Sequence, residues 1–310
     1  MTVPMATPFA ASAPAAPHAP KQPRQISHHG ITIDDPYAWL RSERWQTVMR
    51  DPAALEPEIR AHLDAENAYT AAALADTEAL QARLFAEMKA RIKEDDASVP
   101  TPDGAWDYYS RYVTGGQYPL MCRRPRGAET GEQVLIDGNA EAAGKAYWQL
   151  GGVSHSPDHR LVAYSVDDAG SEFYTIRLRD TWTGYDLADR ITDAGGSAWS
   201  RDGQTLFYVR LDDNHRPRWV YRHRLGTPAS DDVLVYEEPD PGFFVGVGTT
   251  QSHAFVVIDT HRHDTSEIHV VDAADPESAP RLVVPREYGH ECEIEHLGDE
   301  FLFLTNSRGA

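Results

Sequence analysis

Apolar residues follow two different periods along the chain. Leu55, Ile59 and Leu63 recur at four-residue spacing, and a second set, Leu80, Leu84, Met88 and Ile92, repeats the stripe. Each set lines one side of a helix, so the pattern predicts helices over 55–75 and from about Thr77 to Ile92. Both stripes need a partner surface, supplied either by the domain that follows or by a further domain. Ahead of them, Asp34-Asp35-Pro36 puts a capping acid before a proline at a first helical position and predicts a short helix through Tyr37-Ala38-Trp39-Leu40.

After Lys93-Glu94-Asp95-Asp96 the period changes to two, which marks a domain boundary. Trp106, Tyr108 and Ser110 alternate with Asp107, Tyr109 and Arg111, Gly115-Gly116 turns, and Tyr118 to Arg123 runs back. That is a hairpin by composition and spacing. The scheme returns at 175–179 with its Thr183-Gly184 turn, and at 219–225 with Gly226 and the return run Val233-Leu234-Val235.

The alternation is itself repeated. Gly151-Gly152, Ser156, Asp158, Tyr164 and Asp168 are matched 44 residues later by Gly195-Gly196, Ser200, Asp202, Tyr208 and Asp212. Each copy reads Gly-Gly, spacer, Ser-x-Asp turn and a short apolar run, with further echoes at 254–258 and 300–304. Ser171-Glu172 likewise returns as Ser266-Glu267. A unit of roughly 44 to 48 residues has the size of a four-stranded propeller blade. The expected fold is therefore mainly β: a partial β-propeller of about four to five four-stranded antiparallel blades over 97–310, preceded by an N-terminal α-helical extension over 26–96. The unfinished run after Phe301-Leu302-Phe303-Leu304 predicts an incomplete ring with exposed sheet edges.

Composition narrows the class. At 310 residues and 41% hydrophobic the chain can bury a sizeable core. The formal charge of −19 with no offsetting basic patch excludes nucleic acid as a partner and favours cationic ligands such as basic peptides. Cys122 and Cys292 are too few for a disulfide framework and point to a reducing compartment. Residues 1–25 are rich in Ala and Pro and lack the charged start and long apolar run of a secretion signal, so they read as a disordered tail. No run approaches the roughly 20 apolar residues of a membrane span. A cytoplasmic protein without a membrane partner is expected.

Several stretches together carry a family resemblance: Asp35-Pro36-Tyr37-Ala38-Trp39-Leu40, Glu66-Asn67-Ala68-Tyr69-Thr70, the run from Arg91 to Pro100, Tyr108-Tyr109-Ser110-Arg111 with Gly116-Gln117-Tyr118-Pro119, Ser156-Pro157-Asp158, Ser171-Glu172-Phe173-Tyr174 and Asn214-His215-Arg216-Pro217. With them the chain resembles the N-terminal portion of the prolyl oligopeptidase family of serine peptidases, nearest its oligopeptidase B (protease II) branch. The resemblance implies a seven-bladed propeller that restricts entry to short peptides, a C-terminal α/β-hydrolase domain with a Ser-Asp-His triad, cleavage after Lys or Arg, and no cofactor. It also implies that the helical extension packs on the hydrolase domain. The triad belongs to a region downstream of the propeller, so no catalytic residue can be assigned here, and the chain by itself is expected to be inactive. A stand-alone propeller that binds a partner is the alternative.

Five groups of side chains invite chemical readings. Gly195-Gly196-Ser197-Ala198-Trp199 looks like the start of a nucleophile elbow, but Trp199 fills the second glycine position. The matching place of Gly151-Gly152-Val153 makes it an inter-blade turn. His290, Cys292 and His296 would share one face of a strand, yet Ile294 shares it too, and an ordinary strand is the expectation; His261 and His263 read as solvated loop residues. No metal site is expected. Glu94-Asp95-Asp96 reads as a solvated linker or an acidic contact. Glu172 is the one residue singled out as an inter-domain or basic-substrate contact, since an acid near a cleft attracts cations.

Overall fold

The computed structural model describes residues 15–307 and divides into two compact units, Met1–Glu94 and Asp95–Ala310. Residues 1–14 of the Ala/Pro-rich tail lie outside the described residues. None of the helices among those described is long and apolar enough to cross a membrane.

The first unit opens with a hairpin, β1 (Gln25–His28) against β2 (Ile31–Asp34). Its two-residue turn is His29-Gly30, with φ of 52° and 75°, the positive pair that a tight hairpin of this handedness requires. Asp35-Pro36 leads into a short helix, a single 3₁₀ turn over Ala38–Leu40. Next come α1 (Trp45–Arg50), α2 (Pro57–Ala73) and α3 (Glu78–Lys89). Pro57 at the start of α2 loses no hydrogen bond, because a first-turn N–H has no partner within the helix. Of the expected stripe only Ile59 is buried, while Leu63, Leu80, Leu84 and Met88 are exposed. Ile92 lies beyond the end of α3.

The second unit is built from antiparallel sheets. Blade 1 comprises β3 (Thr101–Asp103), β4 (Trp106–Arg111), β5 (Leu120–Pro125) and β6 (Gln133–Asp137), followed by the short helix α4 (Gly138–Ala142). Next is a seven-stranded sheet: β7 (Gln149–His155), β8 (Leu161–Asp167), β9 (Tyr174–Asp180), β10 (Asp186–Trp199), β11 (Thr205–Leu211), β12 (Pro217–Arg224) and β13 (Val233–Glu237). It is two blades sharing one strand. The first half of β10 pairs with β9 as the last strand of blade 2, and its second half pairs with β11 as the first strand of blade 3. Blade 4 holds β14 (Phe244–Thr249), β15 (Phe255–Arg262), β16 (Thr265–Asp272) and β17 (Arg281–Val284), and the hairpin of β18 (Cys292–Leu297) and β19 (Glu300–Thr305) follows.

The glycine pairs therefore do not make inter-blade turns. Gly195-Gly196 lies inside β10 at a bulge between Ala194 and Ser197, and Gly151-Gly152 inside β7 at a bulge between Leu150 and Val153. A Cβ on Gly151 would stand 2.4 Å from Ser165 Oγ and 2.9 Å from the Tyr174 ring. Glycine is needed there because a neighbouring strand's side chains fill the space.

The core lies between blades, and strand periodicity builds it. Along β8, Val162, Tyr164 and Val166 pack with Leu135 and Ile136 of blade 1 and with Trp148 just ahead of β7, whereas Ala163 turns to blade 3. Along β11, Leu206 and Tyr208 face blade 2 while Phe207 and Val209 join Val245, Val256 and Ile258 of blade 4. Successive side chains alternate faces, so each central strand feeds two cores. Each fully buried side chain of this kind contributes about 1.5–3 kcal/mol.

Candidate functional site

The repeated Ser-x-Asp element is the turn joining the first two strands of a blade. In blade 2 the Ser156 hydroxyl donates to Asp158 Oδ1 at 2.5 Å and accepts from the Leu161 N–H at 2.9 Å. In blade 3 Ser200 donates to Asp202 at 2.6 Å and accepts from Thr205 N–H at 3.0 Å. Blade 4 substitutes Thr250, whose Oγ1 accepts from Phe255 N–H at 3.2 Å. The fourth position of each turn is left-handed: His159 (φ 61°), Gly203 (φ 65°) and His253 (φ 54°), with Gly104 (φ 53°) in the blade 1 turn. Glycine suits that conformation; two turns carry histidine instead.

Those two histidines meet blade 1. Ligand-type atoms of Asp103, His155 and His159 all lie within 4.8 Å of one another. Asp103 Oδ2 is 3.3 Å from His155 Nε2 and 3.6 Å from His253 Nε2. Tyr108 supports the group from β4, its ring stacked on His155 at 4.0 Å and 12° and its hydroxyl 2.9 Å from His159 Nδ1. The Nδ1 of His155 is 3.2 Å from the Ser156 carbonyl oxygen. Arg123 donates to the His159 carbonyl and fixes that turn against β5. Burial holds the His155 and His159 imidazoles below the usual histidine range and pushes the Tyr108 phenol up. Sequence reading missed this cluster because its members come from three blades; its local trace is histidine at a left-handed turn position.

Glu172 is exposed in the loop between β8 and β9, itself at φ 61°, with its N–H bound to Asp167 Oδ2 at 2.7 Å. Glu267, its sequence echo, lies within β16 and is half-buried, 3.0 Å from His269 Nε2 and 3.5 Å from Arg286. The pair is not equivalent in environment. Ser197 sits in β10 opposite Tyr208, its Oγ 3.4 Å from that of Ser154. His290 and His296 part company: His290 Nε2 meets Thr305 Oγ1 at 2.9 Å, and His296 Nδ1 meets Ser252 Oγ at 2.9 Å. His261 pairs with Asp259 at 2.9 Å. Burial pushes both thiols up, Cys122 to about 11.

Ser252 and His296 are a serine–histidine contact, but not a triad in the making. The adjacent acid, Glu295, accepts the backbone N–H groups of Gln251 and His296 at 2.8 Å each instead of the ring. Without a carboxylate to orient the base, acyl-transfer chemistry has no support there.

Residues 17–310 match the family model described as the prolyl oligopeptidase N-terminal beta-propeller domain. The chain is 40% identical to dipeptidyl aminopeptidase BI of Pseudoxanthomonas mexicana, an alignment spanning 100% of this chain and 44% of the relative. It is 31% identical to Protease 2 of Moraxella lacunata over 90% of this chain and 40% of that protein. Oligopeptidase B from Leishmania major superimposes with a TM-score of 0.86 at 32% identity, covering 96% of this chain and 43% of the other. The chain thus spans less than half the length of these relatives. With its repeated four-stranded sheets and a match along nearly its whole length, the chain belongs to the prolyl oligopeptidase family, as that family's N-terminal beta-propeller domain.

Proposed function

We propose that this chain is the propeller region of an oligopeptidase B-like serine peptidase that cleaves short peptides after Lys or Arg, with the blades limiting substrate size. The single observation that carries this reading is the superposition on oligopeptidase B at 32% identity over 96% of the chain. The net charge of −19 supports it, since the summed field draws basic peptides toward the protein. Glu172, exposed on its loop, is an acid available to such a peptide or to a second domain. In this reading the exposed stripe of Leu63, Leu80, Leu84 and Met88 packs on an α/β-hydrolase domain of the same protein. That domain supplies the serine, acid and histidine for acyl transfer.

A second specificity has its own support: the 40% identity to dipeptidyl aminopeptidase BI favours release of dipeptides from peptide N-termini. The two are separated with a chimera joining this chain to the hydrolase domain of Protease 2. Cleavage inside short peptides after Lys or Arg, with folded proteins left intact, is expected. Release of N-terminal dipeptides alone would favour the second specificity, and equal digestion of folded proteins would overturn size selection.

A further inference from the structure

We propose that Asp103, His155 and His159 bind one divalent transition-metal ion, with Zn²⁺ the occupant their chemistry fits best. Two imidazoles and a carboxylate, with the fourth position open, are a donor set suited to zinc, whereas Mg²⁺ and Ca²⁺ take shells of oxygen. Spacing agrees with chemistry. Ligand bonds of about 2.0–2.2 Å in a tetrahedron put donor atoms roughly 3.3–3.6 Å apart; the Asp103 carboxylate oxygen stands 3.3 Å from His155 Nε2, and the donor atoms of Asp103, His155 and His159 all lie within 4.8 Å of one another.

The rings are also aimed as ligands are. The Ser156 carbonyl takes Nδ1 of His155, and the Tyr108 hydroxyl takes Nδ1 of His159, leaving each Nε2 for a metal; outer partners of this kind fix tautomer and ring orientation. His159 Nε2 lies so close over Gly104 that a Cβ there would stand 2.6 Å away. Finally, His159 occupies a left-handed position that Gly104 and Gly203 fill in the sister turns. A side chain held where glycine is easier indicates a role for the side chain. The bound ion would join blades 1 and 2 at their first interstrand turns and stabilise the folded unit by mass action.

The test is calorimetric titration of the chelator-treated, untagged 310-residue chain with ZnCl₂, together with Co²⁺ titration read by the visible absorption of tetrahedral cobalt. One ion per chain and a Zn²⁺-dependent rise in Tm are expected. The variant His159→Gly keeps the turn conformation, so it folds, and it is expected to bind at least about 100-fold more weakly and lose the Tm rise. His28→Ala/His29→Ala, in the other unit, should bind as the parent does. No binding by the parent at micromolar Zn²⁺, or undiminished binding by the His159→Gly variant, would overturn the site.

Discussion

Both ring nitrogens of His223 face carboxylates in the interior of blades 2 and 3. Nε2 is 3.0 Å from Asp189 Oδ1 and Nδ1 is 2.7 Å from Asp232 Oδ1. The Tyr208 hydroxyl donates to Asp232 at 2.9 Å, and the Gly226 N–H to Asp189 at 2.6 Å. Burial pushes the Asp189 carboxyl up, but His223 and the Gly226 N–H outweigh it and hold it below the usual range. Removing the ring strands two acids out of water, so His223→Ala should cost about 3–5 kcal/mol in urea unfolding; a loss under about 1 kcal/mol would show that the acids find other partners. Part of this network was legible in the sequence. Tyr164 and Tyr208 are repeat equivalents, and their hydroxyls donate to Asp186 and Asp232 in the same way. The histidine between two acids was not, because Asp189 lies 34 residues from it on another strand. The cluster around Asp103 escaped for the same reason.

At the scale of the element, local chemistry was readable and strand continuity was not. Ser156, Asp158, Ser200 and Asp202 form the turns their spacing announces, because a hydroxyl and a carboxylate within three residues cap a turn wherever it falls. A bulge depends on the partner strand, so Gly195-Gly196 looked like a turn while β10 runs straight through it. The register of β19 against β18 leaves Leu302, Phe303 and Leu304 exposed. An apolar strand with an open face templates further pairing. Sedimentation of the 310-residue chain should therefore reveal concentration-dependent association that Phe303→Lys reduces. A parent that stays monomeric at every concentration would show this strand to be harmless.

For the whole molecule, two effects of acid compete. From pH 7 toward the isoelectric point near 5.1 the repulsion of a −19 charge is relieved. Below that, specific carboxylates dominate. Arg111 and then Tyr109 hold Glu132 below its ordinary value of 4.5, and the Ser200 hydroxyl holds Asp202 below 3.8. A carboxylate depressed in the folded state contributes stability that is present above its unfolded value and lost as pH falls through the folded one. Tm should hold between pH 7 and about 5 and then fall steeply below about 4.5, with a shallower fall in Glu132→Gln. A Tm that is flat down to pH 3 would contradict the assignment.

The proposed function puts no catalytic serine in these blades, where Ser197 lies in β10 opposite Tyr208 and Ser252 meets His296 Nδ1 at 2.9 Å. Incubating the purified chain with a fluorophosphonate probe tests this most directly. No serine should be labelled, and an Arg-linked chromogenic peptide should remain intact. Stoichiometric labelling abolished by Ser197→Ala or Ser252→Ala would place a nucleophile within these blades and contradict it.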